Sequence, residues 1–231
     1  MTPSRADVDA VMRRLGREVE RLGEPAVEKI AQERHDDPFP VLIGTMLSAQ
    51  TRDPVTAAAT ARLFRAARSP RTMARLDVKA IEHRIRPVSF YRNKAVHVKR
   101  ACELIVTRFG GAVPRTMEEL LTLPGVGRKT ANLVLILAHR SARNICVDTH
   151  VHRISNRLGW VDTRTPEQTE RALYAAARRR WWPVINRYLV TWGQNVCRPV
   201  FPLCGSCAIH PLCPRIGVTK VGRSRVLTTG R

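Results

Sequence analysis

Four cysteines near the C-terminus carry the densest chemistry in the sequence, spaced Cys197-x6-Cys204-x2-Cys207-x5-Cys213. Thiolates gathered in one short loop can converge on a single inorganic centre. Left unbound, they would repel one another and oxidise readily. Zinc sites usually present a close cysteine pair on each side of the ion, and here only Cys204 and Cys207 form such a pair. Disulfides fit poorly with a chain expected in a reducing compartment. On chemistry alone a zinc ion and an iron–sulfur centre both remain open. Cys102 and Cys146 fall outside the pattern, in apolar company, and read as buried core thiols.

A second chemical signal is Leu123-Pro124-Gly125-Val126-Gly127-Arg128-Lys129-Thr130-Ala131. A capped helix is expected to end near Leu121. A tight turn follows, whose two glycines can take positive φ or let another backbone come close. A second helix then starts at Arg128 and runs to about His139. The amides of its first turn point outward at the positive end of the dipole, which suits a phosphate oxygen. A Walker-type loop fails here, because Arg128 separates Gly127 from Lys129 and no strand precedes them. A plain helical turn with an exposed lysine stays open. Further on, Val147-Asp148-Thr149-His150-Val151-His152-Arg153 opens another helix, with Asp148 well placed as its N-cap.

The elements that must position these groups read as helices almost throughout, and the fold class is all-α. Val8, Val11, Met12, Leu15, Val19 and Leu22 recur at helical spacing on an otherwise charged segment. Phe39 to Ala49 is apolar on most faces and reads as a buried helix. Asp53 and Pro54 supply an N-cap and a first-turn proline for the next one. Thr116 with Glu119, and Thr165 with Gln168, have the form of capping boxes. There is no alternating strand pattern, internal repeat or low-complexity tract. From about Gly217 the apolar period is lost while Lys220, Arg223, Arg225 and Arg231 appear, which reads as a disordered basic tail.

Bulk properties narrow the partner. The chain has 231 residues, 44% of them hydrophobic, enough for a real core. Its formal net charge of +21 points to a polyanion. The longest clean apolar run, Leu133 to Ala138, is far short of the ~20 residues that span a bilayer. The start of the chain, Met1 to Asp7, holds no apolar signal stretch, so a reducing cytosol is expected.

These motifs, in this order, resemble the endonuclease III family of DNA glycosylases, over about residues 30–213. The cysteine spacing is similar to that family's [4Fe–4S] signature, with Cys197, Cys204, Cys207 and Cys213 as ligands. The nonapeptide is similar to its helix–hairpin–helix, which implies DNA contacts from Leu123, Gly125, Gly127, Arg128 and Thr130, and a nucleophile at Lys129. A primary amine is required there, since only it can form a Schiff base with a sugar carbon, and it must be neutral to attack. The Val-Asp-Thr-His segment implies that Asp148 assists that deprotonation and stabilises the cationic sugar. It also implies that His150 meets backbone phosphate; His152, outside that match, reads as a surface residue.

Leu47-Ser48-Ala49-Gln50-Thr51 matches the family loop that fills the gap left by a flipped nucleotide. Gln50 would then bond the orphaned partner base. Val88 to Lys94 aligns with the second insertion loop, where Phe90 either stacks between bases or belongs to the core. Bacterial relatives usually carry leucine at that position, so Phe90 resembles the eukaryotic endonuclease III-like branch. Relatives often hold several basic residues between the first two cysteines, whereas here only Arg198 remains. Arg178, Arg179 and Arg180 would compensate or would form a solvated face, and Trp181 and Trp182 read as core.

The resemblance implies two helical domains. Residues 31–141 would form the six-helix domain with the hairpin. Residues 1–30 and 142–215 would form the cluster domain, leaving 216–231 as the tail, with DNA in the groove between the domains. It further implies a monomeric base-excision glycosylase and abasic-site lyase, cytoplasmic and nucleoid-associated. The expected substrate is double-stranded DNA carrying oxidised pyrimidines of the thymine glycol type, or abasic sites. Mismatch-specific glycosylases of the superfamily, which usually lack this lysine, and a non-catalytic Fe–S regulator are the alternatives.

Overall fold

The computed structural model describes residues 6–33 and 37–223. No strand occurs among the described residues, and the chain is all-α. Its helices are α1 (Val8–Val19), α2 (Ala26–Glu33), α3 (Pro38–Ser48), α4 (Asp53–Ala66), α5 (Pro70–Ala74), α6 (Val78–Ile85), α7 (Tyr91–Arg108), α8 (Met117–Leu120), α9 (Arg128–Leu137), α10 (Thr149–Arg157), α11 (Pro166–Ala176) and α12 (Trp182–Asn195). They form two compact units. One is Pro25–Asn144; the other comprises the described residues of Met1–Glu24 and Ile145–Arg231. None of the described helices is long and apolar enough to cross a membrane.

In the unit Pro25–Asn144, α3 is buried from Phe39 to Leu47 and packs against α2, α4, α7 and α9. Asp37 starts it by accepting from the Phe39 amide at 3.0 Å, with Pro38 in the first turn. A β-carbon on Gly44 would lie 2.9 Å from Ile30 Cδ1, so α2 meets α3 almost backbone to side chain. That close packing goes with residues 25–30 lying in this unit, whereas the resemblance implied a boundary after residue 30. Asp53 also differs from expectation. Arg52 holds the N-cap position of α4, and the Asp53 carboxylate instead accepts from the Ala26 amide at the start of α2, at 3.0 Å. Long-range demand outranks the local cap. A reciprocal capping box that the sequence reading passed over joins Ser69 and Thr72 at α5.

The other unit is organised by α12, which packs on α1 and α10. Val11, Met12 and Leu15 of α1 are fully buried with Leu158, Leu173, Ile185 and Leu189. Each such side chain contributes ~1.5–3 kcal/mol. Leu22 does not join the stripe, because α1 ends at Val19 and Leu22 is exposed. Asp9 gathers Trp181 Nε1 at 2.5 Å, Arg180 at 2.7 Å and Arg178 at 2.9 Å. Arg178 and Arg180 thus serve the fold, while Trp181 and Trp182 pack against the core. Thr116 and Thr165 cap α8 and α11 through the Glu119 and Gln168 amides. The Gln168 side chain answers the Arg164 amide rather than that of Thr165.

Several further arginines donate to main-chain carbonyls. Arg62 reaches Arg84 O and Arg86 O, Arg71 reaches Gly110 O, and Arg157 reaches Arg198 O and Pro199 O. The segment after the cysteines turns back onto their loop. There Val218 lines the same cavity as the thiols, and the Gly222 amide donates to Pro202 O at 2.9 Å. Arg225 and Arg231 lie outside the described residues.

Candidate functional site

The lysine turn is built by packing. Leu120 and Leu123 are buried beneath it with Val126, and the Leu123 and Val126 amides close successive turns onto Leu120 O and Leu123 O. Gly125 has φ +78, and a β-carbon there would sit 2.8 Å from His97 Cβ on α7, so both conformation and space require glycine. Gly127 is different. It is the N-cap of α9 at φ −100, and a β-carbon there would meet nothing within 4 Å. Main chain therefore lies open at the entry to α9, and the first bond into that turn runs from Ala131 N to Gly127 O. Arg128 is exposed and Lys129 half-buried. Leu123 and Thr130 are buried, so any contact they make outward goes through main-chain atoms.

Two further turns in the same unit carry Gln50 and Phe90. Both are non-glycine residues in the left-handed region, at φ +54 and +56. Both side chains are exposed; Phe90, at 62%, is not a core residue. Beneath them lies a residue to which sequence reasoning assigned no role. Lys94, in the first turn of α7, is only 9% exposed. Its Nζ donates to Leu47 O at 2.8 Å, Ala49 O at 2.5 Å and Thr51 Oγ1 at 3.2 Å. Thr51 Oγ1 also accepts from the Ser89 amide at 3.2 Å, joining the two turns. The signal that could have found Lys94 is the scarcity of lysine, six in the chain against a large arginine excess.

In the other unit, Asp148 caps α10 as expected. Its Oδ1 accepts from the His150 and Val151 amides, each at 2.9 Å, while Oδ2 takes no part in the cap. The residues before it are buried and anchored. Tyr174 OH accepts from Ile145 N, and Asn186 donates to Cys146 O. His150 is half-buried, with Nδ1 3.2 Å from Arg153 Nη2. His152 is also half-buried; its Nδ1 lies 2.7 Å from Thr169 Oγ1, so it ties α10 to α11 rather than standing free at the surface.

Cys197, Cys204, Cys207 and Cys213 line one cavity together with Ile154, Arg157 and Trp192. All six cysteines are free thiols. Burial pushes Cys207 up to about 11 and raises Cys204 and Cys213, with the neighbouring sulfurs adding to the rise. Thiolates in this cavity therefore need a cationic centre to offset desolvation and mutual repulsion. Arg157 supplies one donor, from Nη1 to Cys197 Sγ at 3.3 Å. No three His, Cys, Asp or Glu side chains among the described residues converge closely enough for a single metal ion. Arg198 is exposed, and Val200 and Phe201 beside it are exposed apolar residues. Cys102 and Cys146 are buried elsewhere, and burial raises Cys102 to about 12.

Known proteins share this architecture. The profile of HhH-GPD superfamily base excision DNA repair proteins matches residues 43–179. Endonuclease III of Thermotoga maritima is 43% identical over 196 residues, covering 84% of this chain and 92% of that protein. A chloroplastic endonuclease III homolog of Arabidopsis thaliana is 46% identical over 184 residues, 76% of this chain. The chain spans about half of that plant relative, 48% of its length. Among solved structures, a trapped endonuclease III–DNA covalent intermediate aligns with a TM-score of 0.72 at 34% identity, over 81% of this chain and 92% of that one. With a family profile matched over more than half of its length and a relative 43% identical across nearly the whole of that protein, the chain belongs to the endonuclease III family.

Proposed function

We propose that the protein is a bifunctional DNA glycosylase and abasic-site lyase that removes oxidised pyrimidines from double-stranded DNA. The observation that carries this reading is the half-buried primary amine of Lys129, set one residue into α9 behind the open main chain of Gly127. Phosphate would settle against the amides of Gly127 to Thr130, and Arg128 would add charge. That seats the backbone beside the lysine and orients the sugar for in-line attack.

Lys129 Nζ attacks C1′ of the damaged nucleoside as the bond to the base breaks, and the base leaves with the electron pair. Asp148, whose Oδ2 lies outside the cap, is the carboxylate that takes the amine proton and stabilises cationic character on the sugar. The Schiff base then allows loss of a C2′ proton and β-elimination of the 3′ phosphate. Gln50 and Phe90, the exposed residues of the two left-handed turns, would fill the gap in the duplex. His150 and Arg198 are further phosphate contacts. The enzyme would act as a monomer, in the cytoplasm and on the nucleoid.

The four thiols would hold a [4Fe–4S] cluster. All four line one cavity, and their spacing, similar to the family's cluster signature, supports a cluster over zinc. When bound, such a cluster supplies the positive centre that lets buried thiolates persist and cross-links the Cys197–Cys213 loop.

Borohydride trapping on a duplex with one abasic site tests the mechanism. Wild type is expected to give a covalent protein–DNA adduct and Lys129→Ala none. An adduct that persists in the variant would place the nucleophile elsewhere. Release of thymine glycol from a defined duplex tests the substrate separately.

A further inference from the structure

Among the described residues Lys94 is the most deeply buried amine, and it lies outside the chemistry just described. Its three ammonium protons meet three acceptors, Leu47 O, Ala49 O and Thr51 Oγ1. Two of these groups flank Gln50 directly, and Leu47 O belongs to the last turn of α3, where carbonyls crowd at the negative pole of the helix. A neutral amine has only two protons, so its lone pair would face one of these oxygens. The turn therefore fits the charged form. Burial, with the Lys129 charge second, lowers Lys94 from 10.5 to about 8, which keeps it charged near neutral pH.

Gln50 needs such support. A glutamine at φ +54 stays in the left-handed region only where the surroundings hold it there. The Lys94 clamp does this from below. Through Thr51 Oγ1 and the Ser89 amide it also reaches the turn of Phe90, itself at φ +56. One cation thus connects the turns of both exposed residues.

We propose that Lys94 is a positioning residue for nucleotide extrusion, its ammonium presetting the Gln50 turn and coupling it to the Phe90 turn before DNA arrives. The inference rests on the glycosylase reading, in which these turns enter the duplex. Its gain is preorganisation, since a turn already formed loses less freedom on binding.

The test uses a duplex with a tetrahydrofuran abasic analogue, which cannot form a Schiff base, and 2-aminopurine in the opposite strand at that site. Entry of Gln50 changes the fluorescence of the unpaired purine. Lys94→Met is expected to weaken affinity for this duplex about tenfold, the factor carried by one charged hydrogen bond, and to remove most of the fluorescence change. Melting temperature and borohydride trapping at saturating protein on a natural abasic site should change little.

If Lys94→Met does not fold, Thr51→Val carries the test. It removes one acceptor and the link to Ser89, with a loss of about threefold in the same assay. A fluorescence change that survives in the folded variants, or an equal loss of fluorescence and trapping, would overturn the inference. So would wild type that forms the adduct but leaves 2-aminopurine unchanged, with the lyase reading intact. Wild type that forms no adduct would remove that reading and this inference together.

Discussion

The lysine hairpin and the cysteine loop are both turns beside a helix, yet they are held by different forces. The hairpin closes over buried Leu120, Leu123 and Val126, with Gly125 pressed against His97. Everything it needs is in the polypeptide. The cysteine loop leaves Val200 and Phe201 exposed and draws its shape from Arg157, which donates to Arg198 O and Pro199 O. Its four thiols line a cavity in which burial disfavours their charged form. A turn made by packing stands alone, whereas a turn made by ligands is as stable as what they hold.

The sharpest way to break that comparison is to remove a ligand. With the proposed cluster bound, Cys207→Ser should abolish the visible absorption of the purified protein and cost several kcal/mol, the scale of structural metal sites. Amide exchange would read where the loss falls. Protection should drop in α10 and α12 while α3 and α9 keep theirs, and a uniform loss would show that the hairpin depends on the cysteine loop too.

The next test strains the hairpin itself. Gly125→Ala, forced to φ +78 against His97, should destabilise the fold by ~2–4 kcal/mol in urea titration. Gly127→Ala meets open space and should cost less than ~0.5 kcal/mol, yet it should weaken DNA binding, because the new methyl points where phosphate would lie. Equal stability effects from the two glycines would contradict the division drawn here.

Smaller effects separate capping from chemistry at Asp148. Asp148→Ala should lose ~1 kcal/mol of stability with its N-cap, while Asp148→Asn keeps most of the cap. Both should slow adduct formation. If only the alanine variant slows it, Asp148 is a structural cap.

The smallest effect is a slope. The folded-state value of Lys94, about 8, lies below its ordinary 10.5. Between these values the unfolded chain binds more protons than the folded one. This group therefore makes stability rise with pH across that window and contributes no slope below it. Lys94→Met should flatten the unfolding free energy between pH 8 and 10.5 relative to wild type.

Much of this was legible in the sequence because the signals were local. The cysteine spacing, the hairpin with Lys129, the N-cap at Asp148 and the buried run of α3 each lie within about a dozen residues of chain. What escaped was set by partners distant in sequence. Asp53 reads as a cap for its own helix, but its carboxylate goes to Ala26, 27 residues away. Arg178 and Arg180 read as candidates for phosphate, yet both meet Asp9. Lys94 follows the Phe90 turn in the sequence, but its acceptors lie more than 40 positions earlier. No periodicity encodes such pairings.

The arginine–carbonyl bonds carry a consequence for how the protein would sense ionic strength. DNA affinity falls with salt in proportion to the number of phosphates neutralised, since each sets free condensed counterions. Arg62, Arg71 and Arg157 are turned toward main-chain oxygens, and Arg178 and Arg180 toward Asp9. Each of the five already has a partner within the protein, which competes with phosphate for its charge. The slope of log affinity against log salt should therefore report a footprint smaller than the formal +21, and affinity should fall less steeply with salt than that charge alone would predict.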